Sequence, residues 1–175
     1  MHAVTDAGRL RHATRRVDEA VRDSADLTAL MDTCSDALTR LTAWDALFLS
    51  AADPHTGQFT ATRCVQELPP EMCAPWMRNE YLANDVNKFA HLRTRTRTPA
   101  TAGTTSTARS AGTAVSTVFE ATQGQPALSA RYRDIYRPHG LGHELRAVLA
   151  DSTGTWGYLT IVREHGAPDF DDRDR

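Results

Sequence analysis

Residues 129–163 constrain the fold of this chain more than any other stretch. Three apolar or aromatic residues recur there at helical spacing: Tyr132, Ile135 and Tyr136. Pro138 and Gly140 then break the run. Two segments of alternating character follow on either side of residues 152–154, whose Ser-Thr-Gly composition suits a turn. The stretch therefore predicts a helix, a break and an antiparallel hairpin, in that order.

The residues before this stretch predict two helices and another hairpin. Apolar residues repeat at three- and four-residue steps within residues 5–41, in two runs that each fit an amphipathic helix. Residues 44–51 and 59–65 flank a turn that contains Pro and Gly, so they predict a first antiparallel pair. Neighbours such as Leu47 and Phe48 are both apolar, which indicates that both faces of the sheet are covered. Together these patterns predict an α+β fold.

Composition limits the classes of protein to which the chain can belong. Its length fits one domain over residues 1–175, and its formal net charge of −2 leaves no basic stripe to neutralise nucleic-acid phosphates. No apolar run approaches the ~20 residues of a membrane span, and the N-terminal region is charged where a signal peptide would be apolar. Three cysteines without CxxC spacing indicate neither a disulfide framework nor a zinc site. We therefore expect a cytoplasmic protein that does not bind membranes or, by itself, DNA.

Residues 67–125 carry few strand signals and are expected to close one face of the sheet. Pro69 and Pro70 suit the start of a helix, whereas Pro75 predicts either a kink or the start of a second helix. Thr, Ala, Ser and Gly dominate residues 94–117, which predicts a mobile loop. Loops of that length are uncommon in compact domains unless they act as lids, binding loops or disordered segments.

An aromatic cluster with one carboxylate stands in residues 76–89, beside the expected cavity. Pockets for small molecules are mostly apolar with a few placed polar groups, so the cluster predicts pocket lining, with plain core packing as the alternative. Arg146 is a candidate ion-pair partner for a buried acid such as Asp85, with a solvent-exposed place at the sheet edge as the equal alternative. Trp156 is expected to pack in the core, with ligand contact as the second interpretation. The candidate ligand-binding residues are Phe48, Trp76, Tyr81, Asp85, Phe89, Arg146 and Trp156.

No residue pattern points to catalysis, a metal site or a bound cofactor. A GxSxG nucleophile elbow is missing from the sequence. His139 and His143 stand four residues apart, but the intervening Gly140 and Gly142 favour a turn with solvent-facing imidazoles over a helical metal site. The Gly-Leu-Gly at these positions also lacks the third glycine and the following helix of a phosphate-binding loop. The sequence therefore predicts a protein that is not an enzyme.

Three strings in the last third of the chain occur together: SARYRDIYRPHGLGHELR, TWGYLTIVRE, and PDF followed by acidic residues. They resemble the GAF-like sensor domain that precedes the helix-turn-helix of many actinobacterial LuxR-type transcriptional regulators. The resemblance implies a GAF-like antiparallel sheet of about six strands flanked by helices, with a cavity closed by residues 67–125. It also implies a DNA-binding domain after Arg175. The acidic residues 168–175 fit the first turn of a further helix.

The spacing of Tyr81 and Asp85 adds a second likeness. It is similar to that of the tyrosine and aspartate that hold acyl-homoserine lactones in quorum-sensing relatives, although Val86 stands where those proteins usually have proline. The resemblance implies that both residues face a ligand. The expected ligand is a small molecule of apolar or mixed polarity.

Sensing is the function that these observations predict. A ligand in the cavity would order the loop at residues 94–117 and shift the N-terminal helix, and so reach DNA only through the further domain. That helix either pairs with its copy in a homodimer or packs on its own domain, and both interpretations stay open. One alternative function is a ligand-free structural dimerisation module. The third is a GAF-like redox enzyme, in which folding would have to bring Cys64 and Cys73 together.

Overall fold

The computed structural model describes residues 6–23, 26–65, 68–97, 113–171 and 174. Within these ranges the helices are α1 (Asp6–Asp23), α2 (Leu27–Leu41), α3 (Pro70–Leu82), α4 (Phe89–Arg97) and α5 (Val118–Ala121). The strands are β1 (Ala46–Ala52), β2 (Phe59–Val65), β3 (Thr113–Thr117), β4 (Leu141–Ala150) and β5 (Thr155–Glu164). A π-helical turn, Tyr132–Tyr136, and two short 3₁₀ turns, Pro126–Leu128 and Arg137–His139, join α5 to β4. The predicted α+β class is confirmed.

The strands form one open antiparallel sheet in the order β2-β1-β5-β4-β3. The described residues thus contribute five strands, where about six were expected. Register places one residue of each strand in a single row across the sheet: Cys64, Phe48, Thr160, Arg146 and Ser116. Directly paired residues of neighbouring strands point to the same face. This row therefore runs along one face of the sheet from edge to edge.

Both faces of the sheet are covered, as the apolar pairs in the hairpins predicted. On one face α2 packs Met31 against Leu47, Leu49 and Ile161, and α1 in turn packs along α2. On the other face, which we call the α3 face, Trp76 of α3 packs with residues of α4, of the π-helical turn and of the strands. Alternation along β1 explains the division, because Leu47 and its neighbour Phe48 point to opposite faces.

Helix α1 keeps part of its apolar stripe exposed. Leu10 and Val21 are more than half exposed, whereas Ala13 is buried. Leu10 and Val21 are eleven residues apart and therefore lie close to one line along the helix. In the described ranges, no helix has both the length and the apolar character needed to cross a membrane.

The segment between β2 and β4 departs from expectation at several points. Pro75 lies inside a single continuous helix, α3, instead of starting a second one. Residues 98–112 of the predicted mobile loop lie outside the described residues, and the described ends of residues 94–117 are regular: α4 runs to Arg97 and β3 begins at Thr113. The strand β3 was not expected because its sequence, TAVST, is short and mostly polar, as suits an edge strand.

Residues 129–163 fold largely as their pattern predicts. The helical part is short: one π-helical turn, then a 3₁₀ turn that ends where Gly140 adopts a left-handed conformation with φ of 76°. The hairpin of β4 and β5 follows. At the C-terminus, residues 168–171 and 174 are not helical, so the helix start expected at residues 168–175 is not seen in the residues described there.

Candidate functional site

A cavity of about 420 Å³ lies on the α3 face of the sheet. Strands β1, β2 and β5 supply its floor, and α3 together with the residues leading into it supplies its roof. Its walls are mostly apolar. The wall residues that bear on its chemistry are Ala46, Phe48, Phe59, Thr62, Cys64, Leu68, Met72, Cys73, Trp76, Met77, Tyr136, Thr160 and Val162.

Local alternation explains how these residues come to face one space. Ala46 and Phe48 on β1, and Thr160 and Val162 on β5, are spaced two apart and so point to the same face of the sheet. On α3, Met72 and Trp76 are four apart and lie on the same side of the helix. The small side chain of Ala46 takes up little of the space between these larger groups.

The mouth of the cavity opens between the edge strand β2 and α3. Cys64 on β2 and Cys73 and Met77 on α3 line the cavity and are exposed. Neither cysteine forms a disulfide among the described residues. The edge strand β2 pairs only with β1. Movement of β2 away from α3 therefore strains at most one row of backbone hydrogen bonds. Access from solvent therefore exists at this edge.

Aromatic contacts hold the inner wall of the cavity. The ring centroids of Phe48 and Trp76 lie 5.1 Å apart, and those of Phe48 and Phe59 lie 5.6 Å apart. The indole Nε1 of Trp76 donates a hydrogen bond of 2.8 Å to the hydroxyl of Tyr136. That bond fixes the rotation of the indole, so the wall keeps its shape without a ligand.

The polar groups deep in the cavity differ in whether they have partners. The Tyr136 hydroxyl accepts from Trp76 and donates to Glu144 Oε1 at 2.8 Å, so its hydrogen-bonding capacity is used inside the protein. Burial raises the pKa of Tyr136, and the nearby charge of Glu144 raises it further. By contrast, Thr160 is only 2% exposed, and its hydroxyl has no hydrogen-bond partner among the described residues. Among the described residues, Thr160 is therefore the one deep wall residue whose polar group has no hydrogen-bond partner.

Behind the aromatic wall lies a buried ion network. Glu144 accepts two hydrogen bonds from Arg131, from Nε at 2.9 Å and Nη2 at 2.8 Å, and one from Arg146 Nε at 3.0 Å. Burial raises the pKa of Glu144, but the charges of Arg131 and Arg146 outweigh it and lower the pKa to about 2. The carboxylate is thus held ionised in the interior of the protein.

Arg146 joins this network to α3. Its Nη1 donates to Glu80 Oε2 at 2.7 Å and to the backbone oxygen of Asn87 at 3.1 Å. Its guanidinium carbon lies 4.4 Å from the ring centroid of Phe89 and 5.0 Å from that of Trp76. Nη2 of Arg146 has no hydrogen-bond partner among the residues that the structure describes.

The predicted ion pair between Arg146 and Asp85 is wrong. Arg146 pairs with Glu80 and Glu144, whereas Asp85 lies beside Arg131. Asp85 accepts five hydrogen bonds, from the side chains of Asn79 and Ser129 and from the backbone N–H groups of Val86, Ala130 and Arg131. Burial raises its pKa, but these hydrogen bonds and the Arg131 charge lower it on balance. Asp85 therefore ties the segment after α3 to the start of the π-helical turn.

The seven predicted ligand-binding residues separate into three groups. Phe48 and Trp76 line the cavity, and Phe89 packs beside Trp76 with its ring centroid 6.4 Å away. Asp85 and Arg146 are buried in the ion network and are not among the cavity walls. The remaining two, Tyr81 and Trp156, are each 51% exposed.

The expectation that Trp156 packs in the core is wrong. Trp156 follows the first residue of β5, beside the turn at residues 151–154, and half of its side chain remains exposed there. The expectation that His143 faces solvent is also wrong, because its Nδ1 lies 3.2 Å from Asp169 and its side chain is 21% exposed. His139 is exposed in the turn before β4, as predicted.

Several wall residues were missed by sequence reasoning. Thr160, Cys73, Met72 and Tyr136 belong to the cavity, although none of them was among the candidate ligand-binding residues. The sequence did contain a signal for Thr160. It stands two residues from Tyr158 in a strand, and alternation places both residues on the same face of the sheet. For Tyr136 there was none, since its place depends on contact with Trp76, 60 residues earlier.

Cys64 and Cys73, the two cysteines of the redox alternative, both line the cavity. Among the described residues, no group of three His, Cys, Asp or Glu side chains is placed to hold a metal ion.

No protein-family model matches this chain, and no curated protein matches its sequence. The cavity and the groups that line it are therefore the basis for a proposed function.

Proposed function

We propose that this chain is a ligand-binding sensor domain that holds a small, mostly apolar molecule between the sheet and α3. In this proposal it is a GAF-like, non-enzymatic module of a LuxR-type transcriptional regulator, and it reaches DNA only through a further helix-turn-helix domain. The observation that carries the proposal is the cavity of about 420 Å³ with its apolar walls and its opening at the sheet edge. Pockets that bind small molecules have this size and character.

The link from the cavity to the rest of the domain supports a sensing role. Helix α3 lines the cavity through Trp76, and one turn later it contacts Arg146 of the sheet through Glu80. A ligand that shifts α3 would therefore also act on a buried ion pair. A ligand changes a conformational equilibrium only if it binds the two states with different affinity, and contact with both α3 and β2 provides such a difference.

Homodimerisation through α1 forms part of the proposal. The exposed Leu10 and Val21 give that helix an apolar line that a second copy would cover. Regulators with helix-turn-helix domains commonly read two half-sites through two-fold symmetry. The signal from the cavity would then pass through α2, on which α1 packs.

The test of ligand binding uses the neutral fluorophore N-phenyl-1-naphthylamine. We expect its fluorescence to rise in a saturable titration, because an apolar, water-poor site increases its quantum yield. Cys73→Trp places a bulky ring at the cavity wall and should weaken binding by at least about tenfold, which corresponds to ~1.4 kcal/mol. Ala74→Trp is the matched control, since Ala74 is exposed on the same helix and does not line the cavity.

Two results would contradict the proposal. The first is a wild-type protein whose titration does not saturate. The second is binding in Cys73→Trp that is as tight as in Ala74→Trp and in the wild type, which would show that the dye binds elsewhere. In either case the structural dimerisation module would become the better account of the fold.

A further inference from the structure

We propose that the cavity selects neutral molecules that place a carbonyl oxygen against the hydroxyl of Thr160. This inference rests on the proposed ligand-binding function and names the chemical class of the ligand. The buried end of that ligand is a ketone, ester or amide carbonyl, and the rest of it is apolar.

The hydroxyl of Thr160 is the polar group to which a ligand would bind. A buried hydroxyl without a hydrogen bond costs the protein free energy, and native structures contain few such groups. Thr160 is 2% exposed, lines the cavity, and has no partner for its hydroxyl in the described part of the chain. The other deep hydroxyl, that of Tyr136, is already engaged with Trp76 and Glu144. One hydrogen-bonding point on an apolar floor fits a ligand with one polar group at its buried end.

The charge near Thr160 decides whether the ligand group that meets it donates or accepts a hydrogen bond. Thr160 pairs across the strands with Phe48 on one side and Arg146 on the other. Cross-strand neighbours stand roughly 5 Å apart at Cβ. Arg146 is a cation, and its Nη2 has no acceptor among the described residues. A threonine hydroxyl can donate or accept, but a neighbouring cation favours a ligand atom that carries partial negative charge. The ligand group at Thr160 is therefore a hydrogen-bond acceptor.

The charges of the buried ion network disfavour a ligand that carries a negative charge. Two arginines of the buried network, Arg131 and Arg146, face three carboxylates, Glu80, Glu144 and Asp85. The network thus has a formal surplus of one negative charge. A carboxylate ligand would add a second negative charge in a poorly solvated place, where an uncompensated charge is costly. A carbonyl group supplies the acceptor without that charge.

The experiment compares three probes with the same heavy-atom skeleton: 4-phenyl-2-butanone, isopentylbenzene and 3-phenylpropanoate. Each competes with N-phenyl-1-naphthylamine for the wild-type protein at pH 7. The ketone loses more hydration than the hydrocarbon when it leaves water, so the measured quantity is the ratio of their competing concentrations, compared between protein variants. A hydrogen bond to Thr160 is worth roughly 1 kcal/mol and should shift this ratio by about fivefold in favour of the ketone, relative to a site without the hydroxyl. The carboxylate should compete more weakly than the ketone.

Variants of two threonines on β5 locate the effect. Thr160→Val keeps the shape of the side chain and removes its hydroxyl, so it should weaken competition by the ketone about fivefold relative to the hydrocarbon. Thr155→Val makes the same chemical change at a buried position outside the cavity walls and should leave the ratio of the two unchanged. The infrared band of the ketone carbonyl gives a measurement that needs no variant: hydrogen bonding in the wild-type complex should lower its frequency relative to the ketone in hexane.

The possible outcomes separate this inference from the proposed function. If the dye binds but Thr160→Val leaves the ratio of ketone to hydrocarbon competition unchanged, the Thr160 subsite is wrong and the apolar site remains. If the carboxylate competes best, the site takes anions and the choice of a neutral ligand is overturned. If the dye does not bind at all, both proposals fail.

Discussion

Thr160 shows how one side chain can suit the fold and leave a chemical group unused. A β-branched residue fits the pleated centre of a sheet, and Thr160 stands on β5, the middle strand. Serine and threonine in helices often satisfy their hydroxyl with the backbone four residues earlier, as Ser35 does with the oxygen of Met31 at 2.8 Å. The hydroxyl of Thr160 finds no acceptor among the described residues, and its neighbours across the sheet are Phe48 and Arg146.

At this scale we expect Thr160→Val to stabilise the protein without ligand. The variant removes a buried hydroxyl that has no partner, so the free energy of unfolding should increase by about 1 kcal/mol. Urea denaturation followed by tryptophan fluorescence measures it. Thr60→Val, at an exposed position of β2, should change stability by less than about 0.5 kcal/mol. A clear loss of stability in Thr160→Val would mean that the hydroxyl has a partner in the folded protein.

Helix α3 is the element that connects the cavity with the ion network. Its middle turn places Trp76 against the cavity, and its last turn places Asn79 and Glu80 in the buried network. The segment after the helix turns back sharply, and Asn87 there has a positive φ of 54°. Asp85 holds this segment through hydrogen bonds to residues 129–131. The position of α3 over the cavity therefore depends on contacts at its C-terminal end.

We expect Asp85→Ala to be among the most destabilising substitutions in this segment. It leaves several buried donors without an acceptor and removes one of the two carboxylates beside Arg131. Losing one partner of a buried ion pair typically costs 3–5 kcal/mol. Asn84→Ala, at the exposed neighbouring position, should cost less than about 0.5 kcal/mol. Urea denaturation compares the two variants. Similar values for both would show that Asp85 does not anchor the segment.

For the molecule as a whole, the buried charges connect parts of the chain that are distant in sequence. Arg131 lies at the start of the π-helical turn, Arg146 and Glu144 on β4, and Glu80 on α3. Each of these groups loses hydration on folding and regains hydrogen bonds only when all the elements are in place. The network thus favours one arrangement of the helices over the sheet, and the cavity lies beside it.

We expect the stability of the protein to fall in acid. The pKa of Glu144 is lowered to about 2, below the ordinary value of an unfolded glutamate, and that of Asp85 is also lowered. A carboxylate whose folded pKa is lowered stabilises the protein above the unfolded pKa, and this contribution disappears as pH falls through the folded pKa. For Glu144 it is on the order of 3 kcal/mol, lost between about pH 4.5 and pH 2.

Urea denaturation at several pH values between 7 and 3 measures this dependence. Asp134→Asn is the control, because Asp134 is exposed and pairs only with its neighbour Arg133 among the contacts described. It should leave the slope unchanged, whereas Asp85→Asn should reduce it. A free energy of unfolding that stays constant down to pH 3 would contradict the picture of ionised buried carboxylates.

The sequence by itself determined the features that follow from local periodicity. Alternation over residues 141–164 fixed the hairpin of β4 and β5, and the paired apolar residues Leu47 and Phe48 indicated a sheet covered on both faces. Phe48 and Trp76, two of the candidate residues, line the cavity, because large apolar groups of neighbouring elements meet in the core. These features depend on the spacing of side chains along one element, which is legible in the chain.

Only the tertiary structure decided which polar groups pair and which remain unpaired. Arg146 meets Glu80, 66 residues earlier, instead of Asp85, because Asp85 turns to residues 129–131 and is engaged there. Trp156 is exposed since β5 begins beyond the cover of the helices, and Thr160 lacks a partner since its neighbours across the sheet offer none. Ion pairs and hydrogen bonds act over a few ångströms and require exact placement, so they depend on how distant elements pack and not on any period in the sequence.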